Sequence, residues 1–268
     1  MVKVIASDMD GTFLDDNGAF DADQFQTQLD RLGEKGMHFI SASSNQYQHL
    51  LGLFKDVSGP ISYVCNNGAL VIDERGVIIH EEIIDHLVLK KALDWILTEP
   101  SFAGAEVILV GRNGTYCNLP SESDRFVASK YFYENMQSMA DLRLVFDSIY
   151  KIDITWEEGG VIKLQDEFNH QFSGRLNAIS SGMNGLDIMV DGTDKLTGVE
   201  MLLDSWNLSW ADVAAFGDND NDFEMINAAG DGYAMKNSAP ELLQKVENTT
   251  EYSNNDQGVQ QKINDYLN

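Results

Sequence analysis

The order in which short apolar runs alternate with amphipathic stretches constrains this chain most. Residues 2–7 read as a strand and 21–35 as a helix, with Phe25, Leu29 and Leu32 on one stripe and Gly36 as its stop. Residues 38–42 form the next strand, followed by a helix to about Lys55 and a strand at 61–65. A β-α-β-α-β series of this kind calls for a parallel sheet with covering helices. The rhythm then breaks. Runs 69–73 and 77–80 flank Glu74-Arg75-Gly76, a hairpin signature, and 86–182 read as helix, strand, strand, helix, strand, helix. Within that stretch Arg112-Asn113-Gly114 turns between strands at 106–110 and 115–119, and 150–156 alternate like a half-buried antiparallel strand. After 187–190 the βα rhythm returns, with a helix from Lys195, strands at 212–216 and 232–235, and helices at 222–229, 240–246 and after Gln257. The expected fold is α/β: a Rossmann-like parallel-sheet core domain of residues 1–83 and 187–268, with an inserted α+β domain at 84–186. A chain of 268 residues suits one large or two modest domains.

Ligands of a parallel sheet gather beyond the carboxyl ends of its strands. There the sequence sets Asp8, Asp10 and Thr12 after the first strand, Ser43 and Asn45 after the second, and Asn66, Asn67 and Gly68 after the third. Lys195 opens the helix after the insertion, and Gly217-Asp218-Asn219-Asp220-Asn221-Asp222 follows a later strand. Like charges held close resist ionising together, so a cation is expected among these acids. Lys195 is one, and hard oxygen ligands suit Mg²⁺ as another. His38, His49, His80, His86 and His170 show no ligand spacing. The acidic run at Asp218 is not a calcium loop, because Phe223 stands where that loop needs glycine and Ala229 where it needs Glu. Ser43 also stands where it would cap the following helix, a role compatible with phosphate binding because both use free amides.

One reaction uses every group in this collection. A carboxylate attacks phosphorus to form an aspartyl-phosphate, which splits one hard step into two. A second acid protonates the leaving oxygen and then activates water. A hydroxyl, an ammonium and backbone amides hold the oxygens over which charge spreads.

These residues resemble the haloacid dehalogenase superfamily, in particular the Cof-type phosphatases with a large α/β cap. Asp8-Met9-Asp10-Gly11-Thr12 matches the first motif, Ser43 the second, Lys195 of Asp194-Lys195-Leu196 the third, and Gly217-Asp218-Asn219-Asp220-Asn221-Asp222 the fourth. The stretches Phe223-Glu224-Met225, 233–239 and 256–259 extend the match over nearly the whole chain. The resemblance implies that Asp8 is the nucleophile, Asp10 the general acid/base and Lys195 the catalytic ammonium. It implies Mg²⁺ held by the side chains of Asp8 and Asp218 and the backbone carbonyl of Asp10, with Asp222 and Asn221 as close support. Gly11, Thr12, Ser43, Asn45, Lys195 and Asn221 are the implied phosphate and substrate contacts. The chain departs from its relatives in two places: Ser43-Ser44-Asn45-Gln46-Tyr47 is one substitution from the Ser-Gly-Asn-Gln-Tyr of a sugar-phosphatase branch, and the usual Lys-Gly is Lys195-Leu196. Neither change removes a reacting group. The implied function is a Mg²⁺-dependent phosphatase acting on a small phosphomonoester, a sugar phosphate, with the cap closing over the substrate. A phosphomutase, or a phosphate-binding regulatory protein without turnover, is the alternative. In the insertion, Arg112, Lys163 and Trp156 could reach a substrate, but ordinary surface and core roles suit each better.

Forty-three acidic residues against 18 basic ones give a formal charge of −25, which speaks against nucleic acid or an anionic membrane as a partner. The expected partner is a small phosphorylated metabolite. No run reaches the roughly 18 apolar residues of a membrane span. Cys65 and Cys117 lie in apolar stretches and read as buried free thiols, which fits a reducing cytoplasm. The chain is expected there as a monomer or weak homodimer.

Overall fold

The first elements of the computed structural model are β1 (Val4–Ser7), α1 (Ala22–Glu34), β2 (His38–Ala42), α2 (Tyr47–Leu53), β3 (Ile61–Cys65), β4 (Leu70–Ile72) and β5 (Ile78–Glu81). There follow α3 (His86–Thr98), β6 (Glu106–Gly111), β7 (Thr115–Cys117), α4 (Asp124–Ser129), β8 (Met136–Ser138), β9 (Ile149–Thr155), α5 (Val161–Gln171), β10 (Leu176–Gly182) and β11 (Gly185–Val190). The chain ends with α6 (Lys195–Trp206), β12 (Val213–Gly217), α7 (Phe223–Ala228), β13 (Asp231–Ala234), α8 (Pro240–Lys245), β14 (Asn248–Thr249) and α9 (Gly258–Leu267). The structure describes residues 1–156, 161–182 and 185–268, without the side chains of 161–163 and 182, so Lys163 lies outside the described side chains. Contacts sort into two compact units, Met1–His80 with Asp194–Asn268, and Glu81–Thr193.

The first unit carries an eight-stranded sheet in the order β14-β13-β12-β1-β2-β3-β4-β5. Every residue of β1, β3 and β12 is buried, as expected of parallel strands covered on both faces. Along β1 the side chains alternate: Val4 and Ala6 join Val199, Leu202 and Leu203 of α6 in one core cluster. A separate aromatic cluster gathers Phe13, Phe25 of α1 and Phe39 of β2, with ring centroids 4.8 Å apart for Phe13–Phe25 and 4.9 Å for Phe25–Phe39. Helix α1 begins where Asp21 accepts a hydrogen bond from the Gln24 amide, and Gly36 follows it at φ +65°. Because β1 pairs in parallel with β12 and β2, Ser7 lies in register with Phe216 and Ser41. The carboxyl ends of these strands therefore lie side by side, and the motif residues follow them directly.

The second unit is a six-stranded sheet in the order β10-β11-β9-β6-β7-β8. One face buries Leu89, Leu93 and Ile96 of α3 and Leu164 and Phe168 of α5 against Leu109, Ile152 and Ile188. Within it Lys151 and Asp187, 3% and 1% exposed at the side chain, form an ion pair at 2.9 Å.

Three features differ from the sequence reading. The stretch expected to end in a helix before 182 instead continues into β10, which pairs antiparallel with β11. β11 also pairs with β9, and residues 187–193, like 81–83 at the other boundary, belong to the second unit rather than to the core. The apolar run Ile188-Met189-Val190, which suggests a return of the βα rhythm, fits a strand in either sheet. Helix α2 starts at Tyr47 with Gln46 at its cap, so Ser43 does not cap it.

Candidate active site

β1 delivers Asp8 to its position by continuing the ladder: the Asp8 amide donates to the Phe216 carbonyl at 3.0 Å, and Ser7 Oγ donates to the Asp8 carbonyl at 2.7 Å. The chain then turns sharply through Gly11 at φ +77°, where a side chain would place its Cβ 2.7 Å from Asp218 Oδ2. Glycine is required there both for the backbone and for the approach of the two loops. A second close approach occurs at Gly68, φ +102°, whose missing Cβ would overlap the carbonyl oxygen of Asp194. Asp194 caps α6 in a reciprocal pair with Thr197, and Lys195 is the next residue.

Lys195 is 1% exposed, and its Nζ donates to Asp8 Oδ1 at 2.6 Å and Asp222 Oδ1 at 2.7 Å. The other oxygen of Asp222 accepts from the backbone amides of Asp218 (3.0 Å) and Asn219 (3.1 Å), which fixes the loop after β12. Thr12 Oγ1 donates to Asp218 Oδ1 at 3.0 Å. Asp8, Asp218 and Asp222 each offer an oxygen within 4.8 Å of the others, the one such group among the described residues. Asp10 is exposed and stands outside it, its Oδ2 accepting from Asn45 Nδ2 at 2.6 Å. Ser43 is buried, its Oγ accepting from the Asn45 amide at 3.1 Å. Asn66 and Asn67 adopt left-handed backbone at φ +50° and +53°, and Asn221 Nδ2 donates to Asn67 Oδ1 at 3.2 Å. The Asn67 amide in turn donates to the Ser43 carbonyl at 3.0 Å, so the loop after β3 links the second motif to the fourth.

Burial pushes the Asp8 carboxyl above its ordinary range, opposed by Lys195. Asp218 is pushed up to about 8 by burial and by the charges of Asp8 and Asp222. Asp222 is pushed up to about 6 by burial, although Lys195 opposes the shift. Burial alone would lower Lys195; attraction to Asp222 and then Asp8 outweighs it and holds the ammonium charged. Two buried carboxyl groups, Asp8 and Asp222, and the half-buried Asp218 face one ammonium, so acidic groups outnumber the cation, and the donors are all oxygen. The set fits a hard divalent cation such as Mg²⁺.

A pH dependence follows for the metal-free protein. The folded chain keeps protons on Asp218 up to about pH 8 and on Asp222 up to about pH 6, whereas the unfolded chain releases them near pH 4. The stability these groups contribute is fully present below about pH 4 and is lost as pH rises through 6 to 8. Calorimetry in EDTA is expected to show melting several degrees lower at pH 8 than at pH 6, with the loss reversed by added magnesium. Equal melting at the two pH values would show that the acids ionise freely.

Two of the three long side chains of the insertion are engaged within the second unit. Arg112 Nη2 pairs with Glu81 at 2.5 Å, and Trp156 stacks on Phe102 with Nε1 donating to the Ser101 carbonyl at 3.3 Å. Sequence reading missed the amide side chains of Asn237, Asn254 and Gln260, which bond to the carbonyl oxygens of Gly11, Leu14 and Phe13. The only sequence signal for them was their position in or beside the stretches 233–239 and 256–259.

Residues 5–263 match the profile of the haloacid dehalogenase-like hydrolases. The 5-amino-6-(5-phospho-D-ribitylamino)uracil phosphatase YbjI of Escherichia coli K12 is 26% identical over 266 residues, spanning 99% of this chain and 96% of that protein. An HMP-PP phosphatase of Citrobacter koseri is 25% identical over 92% of this chain and 88% of its own length. Among solved structures, SMU.1108c from Streptococcus mutans UA159 superposes with a TM-score of 0.90 at 28% identity, covering 100% of this chain and 99% of that one. No helix among the described residues is long and apolar enough to cross a membrane.

Proposed function

This chain belongs to the haloacid dehalogenase-like hydrolases, and on that premise we propose that it is a magnesium-dependent phosphatase releasing phosphate from a small phosphomonoester, a sugar phosphate, through an aspartyl-phosphate on Asp8. The observation that carries the reading is the buried Asp8 carboxylate, tied at one oxygen to Lys195 and grouped with Asp218 and Asp222. The named activities of the relatives, both phosphatases of small phosphorylated compounds, support it.

Lys195 holds Asp8 Oδ1, which leaves Oδ2 to attack phosphorus; the bond from phosphorus to the substrate oxygen breaks as the new one forms. Asp10 hands its proton to the departing oxygen. It then takes a proton from water, whose oxygen attacks phosphorus, freeing phosphate and restoring the Asp8 carboxylate. Asn45 fixes the Asp10 carboxyl by its 2.6 Å hydrogen bond and so sets where that proton is delivered. Gly11, Thr12, Ser43, Asn45 and Asn221 are assigned to phosphate and substrate binding, and Lys195 offsets charge on the transferring oxygens. Asp8 and Asp218 would hold Mg²⁺ by their side chains and Asp10 by its carbonyl, with Asp222 beside them. Bound there, the ion would supply charge neutralisation for the phosphoryl oxygens. Two buried free thiols, Cys65 and Cys117, support a reducing compartment, the cytoplasm.

The test is phosphate release from a panel of sugar phosphates with Mg²⁺ and with EDTA. Release with Mg²⁺ that falls at least about a hundredfold in EDTA is the expected result. Phosphate that moves between sugar hydroxyls without release would make the protein a mutase instead.

A further inference from the structure

The backbone that follows Asp8 is held from outside by amide side chains distant in sequence. Asn237 Nδ2 donates to the Gly11 carbonyl at 2.7 Å, Gln260 Nε2 to the Phe13 carbonyl at 3.0 Å, and Asn254 Nδ2 to the Leu14 carbonyl at 3.1 Å. Asn237 is itself fixed, since its Oδ1 accepts from the Asn254 amide at 2.9 Å. Nearby in the same segment, Ala239 donates its amide to the Asp218 carbonyl at 3.1 Å, which ties it to the other acidic loop. Asn254 and Gln260 are 3% and 2% exposed, and the oxygens of both amides are buried without a hydrogen-bond partner among the described residues. A buried unpaired oxygen is costly, so the sequence keeps these amides for the groups their nitrogens hold.

We propose that Asn237, seated by Asn254, is a positioning residue for the reaction: it fixes the Gly11–Thr12 peptide and thereby the placement of Asp10 and Thr12 relative to Asp8. The inference rests on the phosphatase reading given above. Because a peptide unit is planar, pinning the Gly11 carbonyl also fixes the direction of the Thr12 amide and the path of the chain on either side. That path includes the left-handed turn at Gly11, where the lack of a side chain leaves the backbone free to take other conformations unless its surroundings hold it. Asn237 is exposed and lies outside the hydrophobic core, so its loss leaves the fold intact while releasing the loop. Misplacement by a fraction of an ångström at a reacting group lowers turnover more than it lowers ground-state binding.

The experiment uses Asn237→Asp, which keeps an acceptor for Asn254 but loses the donor to Gly11, and Asn237→Ala, which loses both. Turnover of p-nitrophenyl phosphate is measured with Mg²⁺, and amide hydrogen exchange is followed by mass spectrometry. In both variants kcat is expected to fall about tenfold with KM within about twofold of wild type. Exchange should accelerate at least about fivefold across residues 9–14 and stay unchanged in β1 and β2. Wild-type kcat, or wild-type exchange at 9–14, in both variants overturns the proposal. A wild type that turns over no phosphomonoester, with exchange at 9–14 still accelerated in the variants, overturns the phosphatase reading and keeps the positioning of the loop by Asn237.

Discussion

Asp8→Asn is expected to lower kcat for phosphate release by on the order of 10⁵-fold while leaving the protein folded, with a melting temperature near that of wild type. The chemical loss is large because an amide cannot attack phosphorus, and in the proposed mechanism the group removed starts the whole sequence of steps. The structural effect is small because two changes oppose each other. The substitution relieves the desolvation of a carboxylate whose pKa burial already raises. Against that, Lys195 loses one of its two anionic partners but keeps Asp222 at 2.7 Å. Rapid acid quench with labelled substrate provides the check, on freshly prepared protein so that the introduced amide has not deamidated back to the acid. Wild type should retain label on the protein and the variant none. Release that persists in Asp8→Asn would move the nucleophile to another residue.

The parts of this site legible in the sequence are those that local pattern controls. Asp8, Ser43, Asn66 and Asp218 each follow a short apolar run, and parallel pairing of β1 with β2 and β12 brings the tips together. The parallel rhythm puts each of them at the carboxyl end of a strand. What sequence pattern did not convey has a physical reason in each case. β10, with Asn177, Ser180 and Ser181 in its seven residues, lacks the apolar alternation that marks a strand, and is defined by its partner β11. β8 has three residues and β14 two, too few for any periodicity. The inserted domain was therefore legible as an α+β interruption, while the place where the chain leaves it was not. The family resemblance makes Asp222 a support for the metal site, but its second task is visible only in the fold. Its Oδ2 gathers the Asp218 and Asn219 amides, so one carboxylate organises a loop and faces Lys195 at once. The Asn237 bond to Gly11 spans 226 positions, and no short-range pattern encodes it.

Lys195→Met is the variant expected to damage both stability and turnover. Removing one partner of a buried ion pair costs about 3–5 kcal/mol, because the remaining charge stays desolvated and unopposed. Here two carboxylates lose the same ammonium, at 2.6 and 2.7 Å. For a chain of this size the metal-free variant should melt on the order of 10 °C below wild type at pH 8. Lys195 opposes the upward shifts of Asp8 and Asp222, so without it both acids take up protons at higher pH. Once protonated they need no counter-charge, so the difference in melting between variant and wild type should shrink at pH 5. Turnover should fall at least about a thousandfold, since the proposed mechanism uses this ammonium to offset charge on the transferring oxygens. Lys195→Arg should not restore it: the guanidinium is a broad planar fork, and the slot it would enter is 1% exposed and filled by a point charge on a thin stem. Thermal melts at pH 5 and pH 8, in EDTA and in Mg²⁺, separate these contributions. A Lys195→Met protein that melted like wild type at pH 8 in EDTA would mean that Asp8 and Asp222 are already neutral there. An ammonium held between two ionised carboxylates would then be the wrong account of what keeps the nucleophile charged.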